Sequence, residues 1–161
     1  MKSNKKFRSI LANINHKVED AYLINMKMDN LKKLFNPRFE NIYGCIVFKN
    51  QNINLSIDDF NRLLKIYNDK TGFEANNNEI RVNDYIENDI TVDESLEIAL
   101  LLIDNWSLKL KKIDMKSEFC FIISCEPPYT TLRFHKVRED EALWISEELE
   151  KFDQPIGYTI I

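Results

Sequence analysis

The stretch Phe119-Cys-Phe-Ile-Ile-Ser-Cys125, Glu126-Pro127-Pro128, Tyr129-Thr-Thr-Leu-Arg-Phe-His135 decides the fold class. Its first part is almost continuously apolar, as suits a central strand covered on both faces. The two prolines cannot donate to a ladder and break it. The residues after them alternate with period two, which sends Leu132 and Phe134 into a core and leaves Tyr129, Thr131, Arg133 and His135 on the other side. An antiparallel hairpin is the result.

Upstream of this hairpin, Thr91 to Lys111 reads as one long amphipathic helix. Thr91 and Glu94 form a capping-box pattern. Val92, Leu96, Ala99, Ile103, Trp106, Leu110 and Ile113 recur at steps of four and three, and Leu100, Leu101 and Leu102 widen the stripe. This is the helix expected to lie across the sheet, with Trp106 packed in the core. Further upstream, Ser56 caps a helix with Asp58 and Asp59 at its positive end and Ile57, Phe60, Leu63, Leu64 and Tyr67 on one face. Gly72 is expected just past its end, and 69–79 reads as a solvated polar loop without the calcium-loop pattern. Ile42 to Lys49 reads as a further strand, and Ile156 to Ile161, after Pro155, as the last one. Leu31, Leu34 and Phe35 make a helical turn ended by Asn36-Pro37. Phe7, Ile10, Leu11, Ile14, Val18, Ala21 and Tyr22 keep helical spacing, interrupted by asparagines. The expectation is one α+β domain over residues 1–161, a mainly antiparallel sheet packed by one long amphipathic helix and shorter helices.

Only three glycines and four prolines punctuate the chain, which favours helices and simple hairpins over a turn-rich sandwich. Met1 to Arg8 is charged and does not read as a signal peptide, and the longest apolar run, Ile98 to Ile103, is far short of a membrane span. A cytoplasmic protein with no membrane contact is expected. Cys120 and Cys125 on one extended strand lie ~16 Å apart, beyond disulfide reach. Both, with Cys45, read as reduced core thiols.

Catalytic and cofactor patterns are sparse. His135 is the group best suited to acid–base work, with Glu139 placed to orient it and Cys120 and Cys125 nearby. A thiol on a dry strand is held protonated, however, and His135 reads instead as an exposed strand residue paired with charges. The chain has only His16 and His135, with no Cys-x-x-Cys and no His-x-x-x-His, so no metal site is expected. No glycine-rich phosphate loop exists, and no cofactor is expected.

Charge is distributed unevenly. Residues 83–97 carry Asp84, Glu87, Asp89, Asp93, Glu94 and Glu97 with no Lys or Arg, a local charge of −6. Residues 139–153 carry seven carboxylates against Lys151, again −6, in a chain whose net charge is −4. Lys2, Lys5, Lys6, Arg8 and Lys17 make the start basic. Acidic blocks repel nucleic acid and steer basic protein partners, or they simply solvate a surface. Trp144 stands among Glu139, Glu141, Glu147 and Glu148, where it either plugs a sheet edge or anchors an interface. Glu139, Glu141, Trp144, Glu147 and Glu148 are the first candidates for a partner surface, and Asp84, Glu87 and Asp89 the second.

The run Leu132-Arg133-Phe134-His135-Lys136-Val137-Arg138, followed by Glu141, Leu143-Trp144, Leu149-Glu150 and Pro155-Ile156-Gly157, resembles small bacterial immunity proteins encoded beside polymorphic or contact-dependent toxins. The resemblance covers the C-terminal third. It implies a non-catalytic protein that binds and neutralises a cognate, basic toxin domain, and it implies no catalytic residues. Two other readings stand beside it: a small enzyme using the outer sheet face at Tyr129, Arg133 and His135, and a structural or regulatory subunit.

Overall fold

The computed structural model describes residues 1–14, 28–49, 55–86 and 89–161. Its strands are β1 (Lys2–Ser3), β2 (Phe39–Ile42), β3 (Cys45–Phe48), β4 (Ile80–Arg81), β5 (Phe119–Glu126), β6 (Tyr129–Lys136) and β7 (Ile156–Ile160). Its helices are α1 (Lys5–Asn13), α2 (Met28–Phe35), α3 (Ile57–Tyr67), α4 (Lys70–Asn77) and α5 (Val92–Ile113). The predicted hairpin is β5–β6, in register from Phe119 opposite Lys136 to Glu126 opposite Tyr129. It forms the centre of an antiparallel five-stranded sheet ordered β1-β7-β5-β6-β4. The fold is α+β, as expected.

Helix α5 crosses one face of this sheet. Both halves of the capping box are made, Thr91 accepting from the Glu94 amide and Glu94 accepting from the Thr91 amide. Leu96, Ala99, Leu102, Ile103, Trp106 and Leu110 are buried against Phe119, Phe121, Ile123, Leu132 and Phe134. Ile113, the last residue of the predicted stripe, is 47% exposed because the helix there has run past the sheet's cover. The Trp106 indole donates to the Leu34 carbonyl (2.7 Å), fixing α2 against α5.

The segment Ile42 to Lys49 is not one strand. It turns at Tyr43 (φ 49°) and Gly44 (φ 88°), two left-handed residues in a row, and pairs back as the separate hairpin β2–β3. One face of this hairpin adds Phe39 and Phe48 to the α5 core; the other meets Phe60 and Phe73 of α3 and α4. Ser56 caps α3 as expected, but Ile57 is half exposed and lies off the packed face.

The largest departure is 69–79, which is helix α4 and not a solvated loop. Asp69 caps it by accepting from the Gly72 amide (2.6 Å), and Thr71, Gly72, Phe73, Glu74 and Ala75 are all buried. Gly72 does not end α3; Asn68 does, at φ 76°. A Cβ at position 72 would lie 2.1 Å from the Tyr67 carbonyl oxygen, so only glycine lets the two helices approach this closely.

Glu74 and Asn78, one helical turn apart, fill the space between β3 and β6. Glu74 accepts from the Ile46 amide (2.6 Å) and the Lys136 amide (2.7 Å). Asn78 accepts from the Phe48 amide (3.0 Å) and donates to the carbonyls of Ile46 (2.8 Å) and Phe134 (3.3 Å). These side chains satisfy backbone groups that a ladder would otherwise have to pair. The Arg138 guanidinium completes the junction, donating to both Glu74 oxygens at 2.8 and 2.9 Å.

Candidate functional site

The second face of the sheet is covered by the chain between β6 and β7. Val137, Leu143, Ile145, Leu149 and Phe152 pack over Cys120, Ile122, Ile156 and Tyr158. This cover reaches His135, which is therefore 0% exposed and not the surface residue its strand position suggests. The alternation placed it on the correct face; what lay outside period-two reasoning was the segment that folds back over it.

His135 lies opposite Cys120 in the β5–β6 register. Its Nδ1 is 3.0 Å from the Lys136 carbonyl, and the Trp144 amide donates to Nε2 at 3.4 Å. One ring nitrogen must donate and the other accept, which is the neutral tautomer with hydrogen on Nδ1. Burial pushes the imidazole below its ordinary value, more strongly than the Lys136 carbonyl raises it. Burial likewise pushes the Cys120 and Cys45 thiols up to about 12 and Cys125 to about 11. All three cysteines are free thiols, and Cys120 and Cys125 point to opposite sheet faces. The imidazole and the Cys120 thiol beside it are both shut from solvent. Among the described residues no three His, Cys, Asp or Glu side chains converge as metal ligands.

Where the cover ends, toward β4, the same face carries aromatic and cationic side chains at the surface. The Arg133 guanidinium lies 4.0 Å from the centre of the Trp144 ring, and its other partner is Glu79 (2.5 Å). One β6 position pair further on, Arg81 lies 5.3 Å over the ring of Tyr129. Trp144 is 40% exposed, so it neither plugs the sheet edge nor floats. Its backbone amide is tied to His135 and its indole lies against Arg133. Such stacking is worth about 0.5–2 kcal/mol and fixes a side chain that would otherwise sample several rotamers.

The candidate carboxylates do not share one environment. Glu139 is exposed and makes no ion pair among the described residues. Glu141 turns inward: it accepts from the amides of Thr71 (2.8 Å) and Lys70 (3.3 Å) at the positive end of α4 and lies 3.8 Å from Arg138. Burial acts to raise its pKa, yet the bonds from Thr71 and the Arg138 charge hold it below the usual carboxylate range. Glu147 and Glu148 are exposed and bond Lys2 (3.4 Å) and Lys151. Arg8 reaches Glu150 (2.9 Å), so the basic start of the chain lies along the acidic segment. Asp84 sits exposed in the 3-10 turn Val82–Tyr85 beside β4, and Asp89 is exposed just before α5. Glu87 lies outside the described residues. The two acidic blocks are thus not one patch: 139–153 follows the sheet's outer face toward β7, and Asp84 lies at the β4 edge.

Arg133, Arg81 and Glu79 were not among the sequence candidates for a partner surface, although the position of Arg133 on the outer face was legible from the alternation. Its stacking on a residue eleven positions away was not.

No helix among the described residues is long and apolar enough to cross a membrane. A family model described as the Uncharacterized protein PM0498 family matches residues 2–160. The chain is similar to the Uncharacterized protein PM0498 of Pasteurella multocida (strain Pm70), 29% identical over 124 residues, which cover 73% of this chain and 75% of that one. No solved structure matches it.

Proposed function

We propose that the chain, which belongs to the PM0498 family, is a binding protein that carries out no bond-making chemistry and neutralises a basic bacterial toxin domain, in the manner of an immunity protein. The observation that carries this reading is Trp144, 40% exposed and held against Arg133 on a rigid sheet face. Binding hot spots are enriched in tryptophan and arginine. A side chain already fixed in one geometry loses little entropy when a partner closes over it. The exposed carboxylates of Glu139, of Asp84 beside β4 and of Asp89 before α5 have no ion-pair partner among the described residues and supply a negative field that speeds encounter with a cationic partner; Glu147 and Glu148, paired with Lys2 and Lys151, add less to it. His135 supports the same reading: it positions the Trp144 backbone from beneath, where an enzyme would need it at a surface.

The open reading frame adjoining the gene supplies the partner for the test, as the isolated C-terminal domain it encodes. Association and dissociation rates are measured across a salt series. Trp144→Ala is expected to weaken binding about 30-fold, or about 2 kcal/mol, mainly through faster dissociation. Glu139→Lys with Glu148→Lys is expected to slow association and flatten its salt dependence. Binding that ignores Trp144→Ala, kinetics indifferent to salt, or a neighbour with no toxic domain would each remove this reading.

A further inference from the structure

Away from the Trp144 surface, a cleft of about 610 Å³ opens between the end of α2, the β2–β3 hairpin and the 3-10 turn after β4. Its base is aromatic: Phe48 and Trp106 meet edge to face at 5.1 Å, and half-buried Tyr85 forms a wall. Lys32, Lys33, Arg38 and Lys49 stand around it, all exposed, and none has an ion-pair partner among the described residues. The single carboxylate in the lining, Glu79, is already bonded to Arg133.

Acidic residues outnumber basic ones 26 to 22, yet these four cations stand together around one cleft. Lys32 and Lys33 suit the negative end of α2, in whose last turn they lie. That accounts for two of the four. Arg38 and Lys49 belong to the neighbouring hairpin, where the Lys49 amide donates to the Arg38 carbonyl (2.8 Å) and sets the two side by side. No helix end explains them.

The walls are fixed from behind. The Trp106–Leu34 hydrogen bond holds α2 to α5, and Lys109 donates to the Asn36 side chain at 2.7 Å. The hydroxyl of Tyr85 has no hydrogen-bond partner among the described residues. A pre-formed cavity of this size matches a small organic ligand. Several cations on one rim, one of them a forked guanidinium, match a group with more than one negative charge. The aromatic base matches a flat apolar body.

We propose that this cleft binds a phosphorylated small molecule of nucleotide size, its phosphates held by Lys33, Arg38 and Lys49 and its flat body lying over Phe48 beside Tyr85. The proposal is independent of the toxin-binding reading and concerns different residues, apart from Glu79, which borders both.

The test is calorimetric titration of the whole chain with ADP, AMP, adenosine and inorganic phosphate. ADP is expected to bind at about 1–100 µM and more tightly than AMP, with adenosine and phosphate each at least tenfold weaker than ADP. Lys33→Glu with Arg38→Glu should weaken ADP at least tenfold while the circular dichroism spectrum and the urea midpoint stay in place, since both side chains are exposed. Lys65→Glu, on exposed α3 away from the cleft, should leave ADP binding as it is. The proposal is overturned if ADP binds no better than phosphate, if the double variant binds it equally well, or if only a single-stranded oligonucleotide binds, which would make the rim a general polyanion surface.

Discussion

Replacing Glu74 with glutamine should destabilise the protein by about 3–5 kcal/mol, the cost of leaving one member of a buried ion pair unpartnered. The geometry sets the figure. Glu74 is fully buried, and the Arg138 side chain is 10% exposed. Each Glu74 oxygen accepts one backbone amide and one guanidinium hydrogen. An amide group in place of either oxygen faces two donors with two more hydrogens, and the charge opposite Arg138 is gone. Arg138→Met leaves a carboxylate with two amides and no cation, and should cost about 3 kcal/mol. In the double variant Glu74→Gln, Arg138→Met both fully paired buried charges are gone, Glu141 keeps its bonds from the Thr71 and Lys70 amides, and the remaining loss is chiefly one orphaned backbone amide, about 1–3 kcal/mol. The single costs together exceed that of the double variant by about 5 kcal/mol, which is the expected coupling, and the double variant should be no less stable than Glu74→Gln alone. Urea unfolding at pH 7, followed by circular dichroism with a common slope, measures all three. Costs that add, or a Glu74→Gln loss below about 1 kcal/mol, would refute the account of the β3–β6 junction.

Three further outcomes follow from groups described above. His135, held below its unfolded value near 6.5, takes up its proton in the unfolded chain first; stability is full above that value and falls as pH drops below it, by at most about 1.4 kcal/mol per pH unit. Urea midpoints between pH 7.5 and 5.5 should show this fall, and His135→Gln should flatten it; equal slopes would assign the effect elsewhere. The three thiols, with pKa values pushed to about 11–12 by burial, should resist a thiol-specific disulfide reagent in the native protein and react together on unfolding, so one rapidly labelled thiol contradicts the packing. Gly72→Ala should lower stability by about 1–3 kcal/mol, because the added Cβ meets the Tyr67 carbonyl and not a yielding side chain; an unchanged urea midpoint would show that α3 and α4 can move apart freely.

The parts of the fold legible in the sequence were those whose pattern is local. The α5 stripe and its Thr91–Glu94 box, the alternation of β6 and the terminal strand each carry their signal within a few residues. Helix α4 was illegible because its composition is polar. Asp69, Asn76, Asn77 and Asn78 look like a loop, and only the partners 28 to 64 residues away turn Glu74 and Asn78 into buried bridges. The tight turn at Tyr43-Gly44 was concealed because β-formers surround it: Gly44 alone signals a positive φ, and Tyr43 beside it does not. At the candidate site, the identities of Trp144, Glu139 and Arg133 were all readable. Their grouping was not, since it depends on where the 137–155 segment crosses the sheet, and no periodicity encodes that path.

The placement of the two tryptophans gives the molecule a built-in optical record. Trp106 is enclosed among rings and tied to a carbonyl, while Trp144 faces water beneath a guanidinium. Their emission should differ in colour and in access to a dissolved quencher. Loss of the core and occupation of the outer face would then appear as separate spectral changes, readable without any attached dye.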